Sequence, residues 1–481
     1  GDGDRVGIYL PNLPQFVTAF YGTLRAGGIV VPMNPQYKAR EISHLLGDSG
    51  AKAVVSLAGN VGNVVGVLDE TAVEHVVSVG ELDSFESDPS EPEIELSEFE
   101  TFLADGTLDI VDRPDDAVAV QPYTSGTTGT PKGVLLTHHN IAWTTRANAD
   151  VPPGGFQSSD RLIGALPLVH IYGMSVVMNG AMFSGGTYYP VSEWNVSEVL
   201  TLLEEEAITI MFGVPAMFND IINHPDAETD DFASLRFANS GGSSLPLEVL
   251  EQSEALFGVE LYEGYGLTET SPVTHANRPG ARRKGSIGRT LDGVDAMIVD
   301  ESFQSVPRVE AGPIDEAGAS LADITGELVV SGPNVMKGYY GLPEANEEAF
   351  TEANGTTWFH TGDIGYWDED DFFYVVDREK HMIITGGYNV YPREVEELLF
   401  EHEDVADAAV VGVPDERRGE TVKAFVVPTA DAEATPEDIK QYCLDALAAY
   451  KHPREVEFRE ELPRTTTGKV QKFELAGGDE R

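Results

Sequence analysis

Through roughly the first 270 residues, short apolar runs alternate with stretches of helical spacing, and this alternation restricts the fold more than any other feature. The segment PQFVTAFYGTLRAGG spaces its apolar residues for a helix and stops on glycine, and GIVVP follows as a short buried strand. REISHLLGDSG and AKAVVSL repeat the pair; RLIGALPL, SEVLTLLEEEA, ITIMFGVP, LPLEVLEQSEALFG and VELYEGYG continue it. Such a rhythm predicts an α/β fold of parallel sheets covered by helices. From about residue 285, glycine-punctuated strands such as TGELVVSG and FFYVVDR predict a small barrel-like or antiparallel layer. After Arg378, HMIITGG, PREVEELLFE, DAAVVGVP and VKAFVVP predict a compact α+β unit. The boundary is placed at residues 377–381, giving a large N-terminal domain over 1–377 and a small mobile C-terminal domain over 378–481. The acidic, proline-containing stretch over about 81–115 reads as an exposed loop excursion.

The 481 residues carry 81 Asp and Glu against 31 Lys and Arg, a net charge of −50. A field of that sign repels nucleic acid and anionic lipid, so neither is an expected partner. The acids are scattered and do not form one tail, which predicts a solvated acidic surface suited to high salt. Any site for a polyanion must then be locally basic, so single lysines within motifs gain weight. Cys443, the one cysteine, excludes an intramolecular disulfide and a multi-cysteine metal cluster, and sits in an expected helix as packing. The stretch from Leu162 to Ser192 lacks Asp, Glu, Lys and Arg, but Pro167, His170, Asn179 and several glycines interrupt it. It predicts a buried helix beside an apolar pocket, with no membrane span. No cleavable signal is legible at the start, and a cytoplasmic location is expected.

The strongest local signal is YTSGTTGTPKGVLLTH, Tyr123 to His138. Strand-like AVAVQPY leads into a loop of Ser, Thr and Gly, and a helix is expected to follow. Gly126 and Gly129 free backbone N–H groups to turn inward, while Ser125, Thr127 and Thr128 add hydroxyls and Lys132 adds charge. That combination suits a di- or triphosphate. It is not the G-x-x-x-x-G-K-[ST] phosphate loop, which occurs nowhere in the chain.

The loop resembles that of the ANL superfamily of adenylate-forming enzymes: acyl-CoA synthetases, peptide-synthetase adenylation domains and beetle luciferases. The resemblance spans nearly the whole chain. PLVHIYG, NSGGSSLP, EGYGLTETSP, TGELVVSGPNVMKGYY, the segment from Trp358 to Glu396 and LPRTTTGKVQK follow the loop in the family's order. By resemblance, Thr124, Ser125, Gly126, Thr127, Thr128, Gly129 and Lys132 bind ATP phosphates. Gly241, Gly242 and Ser243 line the adenine edge, and Tyr265, beside Gly266, stacks on adenine. Thr268 meets the α-phosphate, and Glu269, with Thr128, holds Mg²⁺. Asp363 accepts hydrogen bonds from the ribose hydroxyls and Arg378 adds a donor. His170, Met174 and Gly264 line the acyl channel, Gly386 and Gly387 the pantetheine tunnel, and Lys380 is the hinge. Lys469 bridges substrate carboxylate and α-phosphate.

The resemblance implies a two-step ligase that uses ATP, a carboxylic acid and CoA, with Mg²⁺ as cofactor. EGYGLTETSP and the uncharged region over 162–192 look most like fatty acyl-CoA synthetases of medium or long chain, with aryl acids or carrier-protein loading as alternatives. A homodimer stays open. The first residues resemble a segment that some tens of residues normally precede, so a truncated or processed N-terminus is expected. No G-x-S-x-G marks a serine hydrolase.

Overall fold

The computed structural model describes residues 2–82, 94–103, 109–124, 131–310, 324–385, 388–415, 417–465 and 468–477. Ser125, Gly126, Thr127, Thr128, Gly129, Gly386 and Gly387 lie outside them.

The alternation read from the sequence builds two mainly parallel sheets. In the first, the strands Ile29–Pro32, Arg5–Tyr9, Ala53–Leu57, His75–Val79 and Glu95–Glu98 run parallel in that spatial order. The helix Pro14–Arg25 opens on a proline, where the missing N–H costs nothing, and buries Phe16, Ala19 and Phe20. The described part of the acidic 81–115 stretch is more ordered than expected, because Glu95–Glu98 adds to the sheet edge. The second sheet orders Thr187–Pro190, Arg161–Gly164, Ile210–Gly213, Phe237–Ser240 and Leu261–Gly266 in parallel, then turns antiparallel through Val273–Ala276. Its central strands Ile210–Gly213 and Phe237–Ser240 are buried throughout, which favours apolar runs there, whereas the edge strand Thr187–Pro190 is partly exposed.

One expectation is corrected at the Gly/Thr loop. A strand, Lys132–Thr137, follows it and pairs antiparallel with Tyr123–Thr124, so the first element after the loop is a strand and not the expected helix. The alternation in KGVLLT puts Val134 and Leu136 into the core, a strand requirement. The helix comes next, as His138–Ala149, capped reciprocally by Thr137 and Asn140. The Asn140 amide also donates to the carbonyls of Pro333 and Val335, and the short strand Gly338–Tyr339 pairs with Lys132–Thr137. Residues 333–340 are thereby fastened beside that strand.

The third sheet, Asp295–Val299, Gly326–Ser331, Thr356–Trp367, Phe350–Ala353 and Phe373–Arg378, is antiparallel, as the glycine-rich texture predicted. Arg378 ends its last strand, and Ile383–Thr385 belongs to a fourth sheet with Gly419–Pro428 and Val405–Asp415. The helix Pro436–Ala446 covers that sheet and buries Cys443, a free thiol. No helix among the described residues is long and apolar enough to cross a membrane.

Candidate active site

The second sheet ends where the third meets it, and the chain there opens into two adjoining clefts of about 660 and 360 Å³. Tyr265, near the end of Leu261–Gly266, lines both. A β-bulge between Tyr265 and Gly266 aims the strand end into the clefts. Gly266 is required there, since an added Cβ would come within 1.9 Å of the Pro272 carbonyl oxygen.

Asp363 and Arg378 are register partners on neighbouring antiparallel strands. Arg378 Nε donates to Asp363 Oδ1 at 2.9 Å, and the Tyr265 hydroxyl donates to Asp363 Oδ2. Three residues spread over 113 positions thus form one polar cluster, with Asp363 buried. Burial, then the Asp363 carboxylate, pushes the Tyr265 phenol well above its ordinary value. The same carboxylate, first among the causes, raises Arg378. Both stay in their hydrogen-donating forms near neutrality.

The larger cleft collects charge that the rest of the chain opposes. Lys132, Arg378, Lys380, Arg464 and Lys469 line it, and Glu269 is the one carboxylate among its described lining residues. Five cations to one acid, in a chain of net −50, make a focused basic site. Lys132 stands 5.1 Å from the centre of the Tyr339 ring, and the Tyr339 hydroxyl donates to Glu269 Oε1 at 2.9 Å. Thr268 and Glu269 occupy a single 3₁₀ turn, with Thr268 on the cleft wall. Lys469 as a residue is exposed to the open cleft, yet desolvation around its amine, with Arg378 second, pushes its pKa down to about 8. Lys380 also falls below its ordinary value, through desolvation and then Arg378.

Away from the cations the larger cleft turns apolar, walled by Val151, Val176, Phe212, Val273 and Ala276. His170 lines the same cleft, near enough to Lys469 to feel its charge. Desolvation and then Lys469 push it down to about 4, so its imidazole is neutral. Its Nδ1 accepts from the Tyr172 N–H at 3.3 Å, which leaves Nε2 as the N–H side.

Most sequence-derived candidates converge here. Thr124, Lys132, His170, Gly241, Gly242, Gly264, Tyr265, Gly266, Thr268, Glu269, Arg378, Lys380 and Lys469 line the larger cleft. Ser243 and Asp363 line the smaller, with Gly242, Tyr265, Arg378 and Lys469 shared. Met174 does not join them: it is fully buried in the core with Ile171 and Met178. His170 lies on the turn before the π-helix Tyr172–Met178 and does not set that helix's phase; Tyr172 and Val176 face the cleft instead. Sequence reasoning missed Tyr172, Val176, Phe212 and Tyr339, whose apolar or aromatic character carries no signal separating a cleft wall from core.

The chain has relatives over nearly its whole length. The family model described as AMP-binding enzyme matches residues 1–340, and that of its C-terminal domain matches 394–469. A long-chain-fatty-acid–CoA ligase of Bacillus subtilis (strain 168) is 38% identical over 97% of this chain and 84% of its own length. A feruloyl-CoA synthase of an Amycolatopsis species is 35% identical over 98% and 88%. The crystal structure of ATP-bound MatB from Rhodopseudomonas palustris superposes with a TM-score of 0.86 at 29% identity, covering 99% of this chain and 89% of that one. The chain is a member of the AMP-binding enzyme family, and its relatives mark it as an AMP-forming acid–thiol ligase.

Proposed function

We propose that the chain joins a medium- or long-chain fatty acid to coenzyme A through an acyl-adenylate. The observation that carries this reading is the continuity of the larger cleft: a cluster of five cations opens directly onto an apolar wall. An anion and a hydrocarbon tail can therefore be held in one groove, with the neutral His170 among its lining residues.

In the first step a carboxylate oxygen attacks the α-phosphorus of ATP. The new P–O bond forms as the bond to the β-phosphate oxygen breaks, and pyrophosphate leaves. Lys469 neutralises the two anions as they meet, and Lys132 holds the outer phosphates. Tyr265 offers the adenine its ring, Asp363 takes the ribose hydroxyls and Arg378 keeps that carboxylate in place. In the second step the CoA thiolate attacks the acyl carbonyl carbon, the C–S bond forms and AMP departs. Positioning and charge neutralisation supply the catalysis, and no protein nucleophile is needed.

Mg²⁺ fits the residues at hand. No cluster of three or more His, Cys, Asp or Glu forms a metal site among the described residues, which suits an ion that takes most of its ligands from phosphate oxygens and water. Glu269 would hold it, together with Thr128. When bound, the ion offsets the charge of the triphosphate.

The same reading divides the chain at Lys380 into units 1–377 and 378–481, the second swinging between steps to bring Gly386 and Gly387 to the thiol. It also places the protein in a salt-rich cytoplasm, where the acidic surface is screened. The Tyr172 hydroxyl, which donates to Asn239 Oδ1 at 2.7 Å inside the cleft, favours a second reading in which the acid is aromatic and polar-substituted. Pyrophosphate release measured with acetate, octanoate, palmitate and coumarate decides between them. Octanoate or palmitate should lead; preference for coumarate would transfer the assignment to aryl acids.

A further inference from the structure

Next to Asp363 in the sequence, and with His360 on the wall of the larger cleft, lies a hydrogen-bonded chain that the reaction as described does not use. Glu327, on the strand Gly326–Ser331, spends both carboxylate oxygens on one neighbouring turn. Its Oε1 accepts the Gly362 N–H at 2.9 Å, and its Oε2 lies 2.7 Å from His360 Nδ1. The far ring nitrogen, Nε2, is 2.8 Å from the Thr351 hydroxyl. A carboxylate only accepts, so Nδ1 carries the hydrogen, and in the neutral imidazole Thr351 donates to Nε2.

The turn this chain holds is one that a strand would not adopt by itself. The register between Gly326–Ser331 and Thr356–Trp367 slips between Glu327 and Val329, and Gly362 has a φ of +69°. Thr361 completes the lock, its hydroxyl donating to the Leu328 carbonyl at 2.6 Å and accepting the Asp363 N–H at 3.1 Å. Asp363 is the next residue after the glycine that Glu327 grips. Its carboxylate therefore reaches Tyr265 and Arg378 from a backbone pinned on both sides.

We propose that Glu327 and His360 are positioning residues for nucleotide selection, bracing the turn over 360–363 so that Asp363 meets the ribose hydroxyls and rejects a deoxyribose. The inference rests on Asp363 as the ribose acceptor, proposed above. A site built to hydrogen-bond a hydroxyl discriminates only if its acceptor is held still, because a mobile carboxylate finds water instead.

The test is the ratio of kcat/KM for ATP to that for 2′-deoxy-ATP and 3′-deoxy-ATP, read from acid-dependent pyrophosphate release. Glu327→Ala should lower the ratio about tenfold or more, with KM for ATP rising more than kcat falls. Glu327→Gln should restore it. The amide oxygen still accepts from Gly362, its nitrogen donates to Nδ1, and the neutral imidazole changes tautomer to donate to Thr351. If Glu327→Ala fails to fold, His360→Phe keeps a ring beside Phe303, whose centre lies 5.7 Å from that of His360, and should lower the ratio as well. Equal losses for ATP and the deoxynucleotides in these variants would overturn the brace as a selection device. Asp363→Ala is measured alongside. A ratio that collapses there and holds in Glu327→Ala refutes the brace alone, and one that holds in Asp363→Ala refutes the ribose assignment with it.

Discussion

Raising the pH is the gentlest way to remove the Lys469 charge, and the structure sets where the effect falls. A lysine amine ordinarily releases its proton near 10.5; desolvation in the cleft, with Arg378 behind it, brings this one to about 8. The group is cationic below that value and neutral above it, so the form that can neutralise carboxylate and α-phosphate is lost as pH rises. For acid-dependent pyrophosphate formation, kcat/KM reports the free enzyme. It should hold below about pH 7 and fall through pH 8 toward a limiting slope of about tenfold per unit. The inflection in kcat should lie higher, because bound phosphate and carboxylate favour the ammonium. Neighbouring groups can be told apart. His170, pushed down to about 4, is neutral throughout this range. Glu263, raised to about 7 by burial in the smaller cleft, gains charge as the pH rises and so cannot produce this fall, which Glu263→Gln should leave in place. Lys380→Arg should keep the fall at pH 8. Lys469→Arg should abolish it whatever happens to the rate, since a guanidinium does not lose its proton. Initial rates of pyrophosphate release in matched-ionic-strength buffers suffice. A flat profile to pH 9.5, or the same fall in Lys469→Arg, would refute the reasoning.

Three further variants probe the same site, and a change of salt probes the acidic surface. Lys469→Ala should abolish acid-dependent ATP–pyrophosphate exchange while sparing thioester formation from supplied acyl-AMP. Lys380→Pro, by fixing the φ a hinge must change, should do the reverse; equal loss of both half-reactions in Lys469→Ala would contradict domain alternation. Asp363→Ala should weaken ATP in the first half-reaction and acyl-AMP, which presents the same ribose, in the second, by roughly 1.5–3 kcal/mol for each lost charge-assisted bond, about 10- to 150-fold apiece, checked by equilibrium nucleotide titration. Dialysis from molar salt to about 50 mM should lower the melting temperature and the activity together, and an unchanged melting curve would argue against salt adaptation.

The ease with which the sequence yielded each part of this site differed for physical reasons. Strands and helices through residue 270 were legible because burial imposes periods of 2 and 3.6 on apolar residues. The Tyr265, Asp363 and Arg378 cluster was legible only by resemblance to a family, since strand register brings together residues that no local pattern connects. The helix expected straight after the Gly/Thr loop was misread because turn residues flank hairpins and helices alike, and only the alternation in KGVLLT separates them. Met174 failed as a channel residue because a helix face depends on where the helix starts, and His170 precedes that start. Glu327 escaped notice for another reason. Its function lies in two hydrogen bonds to a neighbouring turn, and a glutamate in an amphipathic strand carries no mark of them.

The central claim is that this chain makes and then spends an acyl-adenylate. Enzyme in stoichiometric excess over radiolabelled palmitate, mixed with Mg·ATP and quenched without CoA, tests it most directly. The account predicts palmitoyl-AMP and pyrophosphate in equal amounts, formed only when the acid is present, and conversion to palmitoyl-CoA and AMP when CoA is added. ADP and phosphate as the products, or pyrophosphate release independent of any acid, would contradict it.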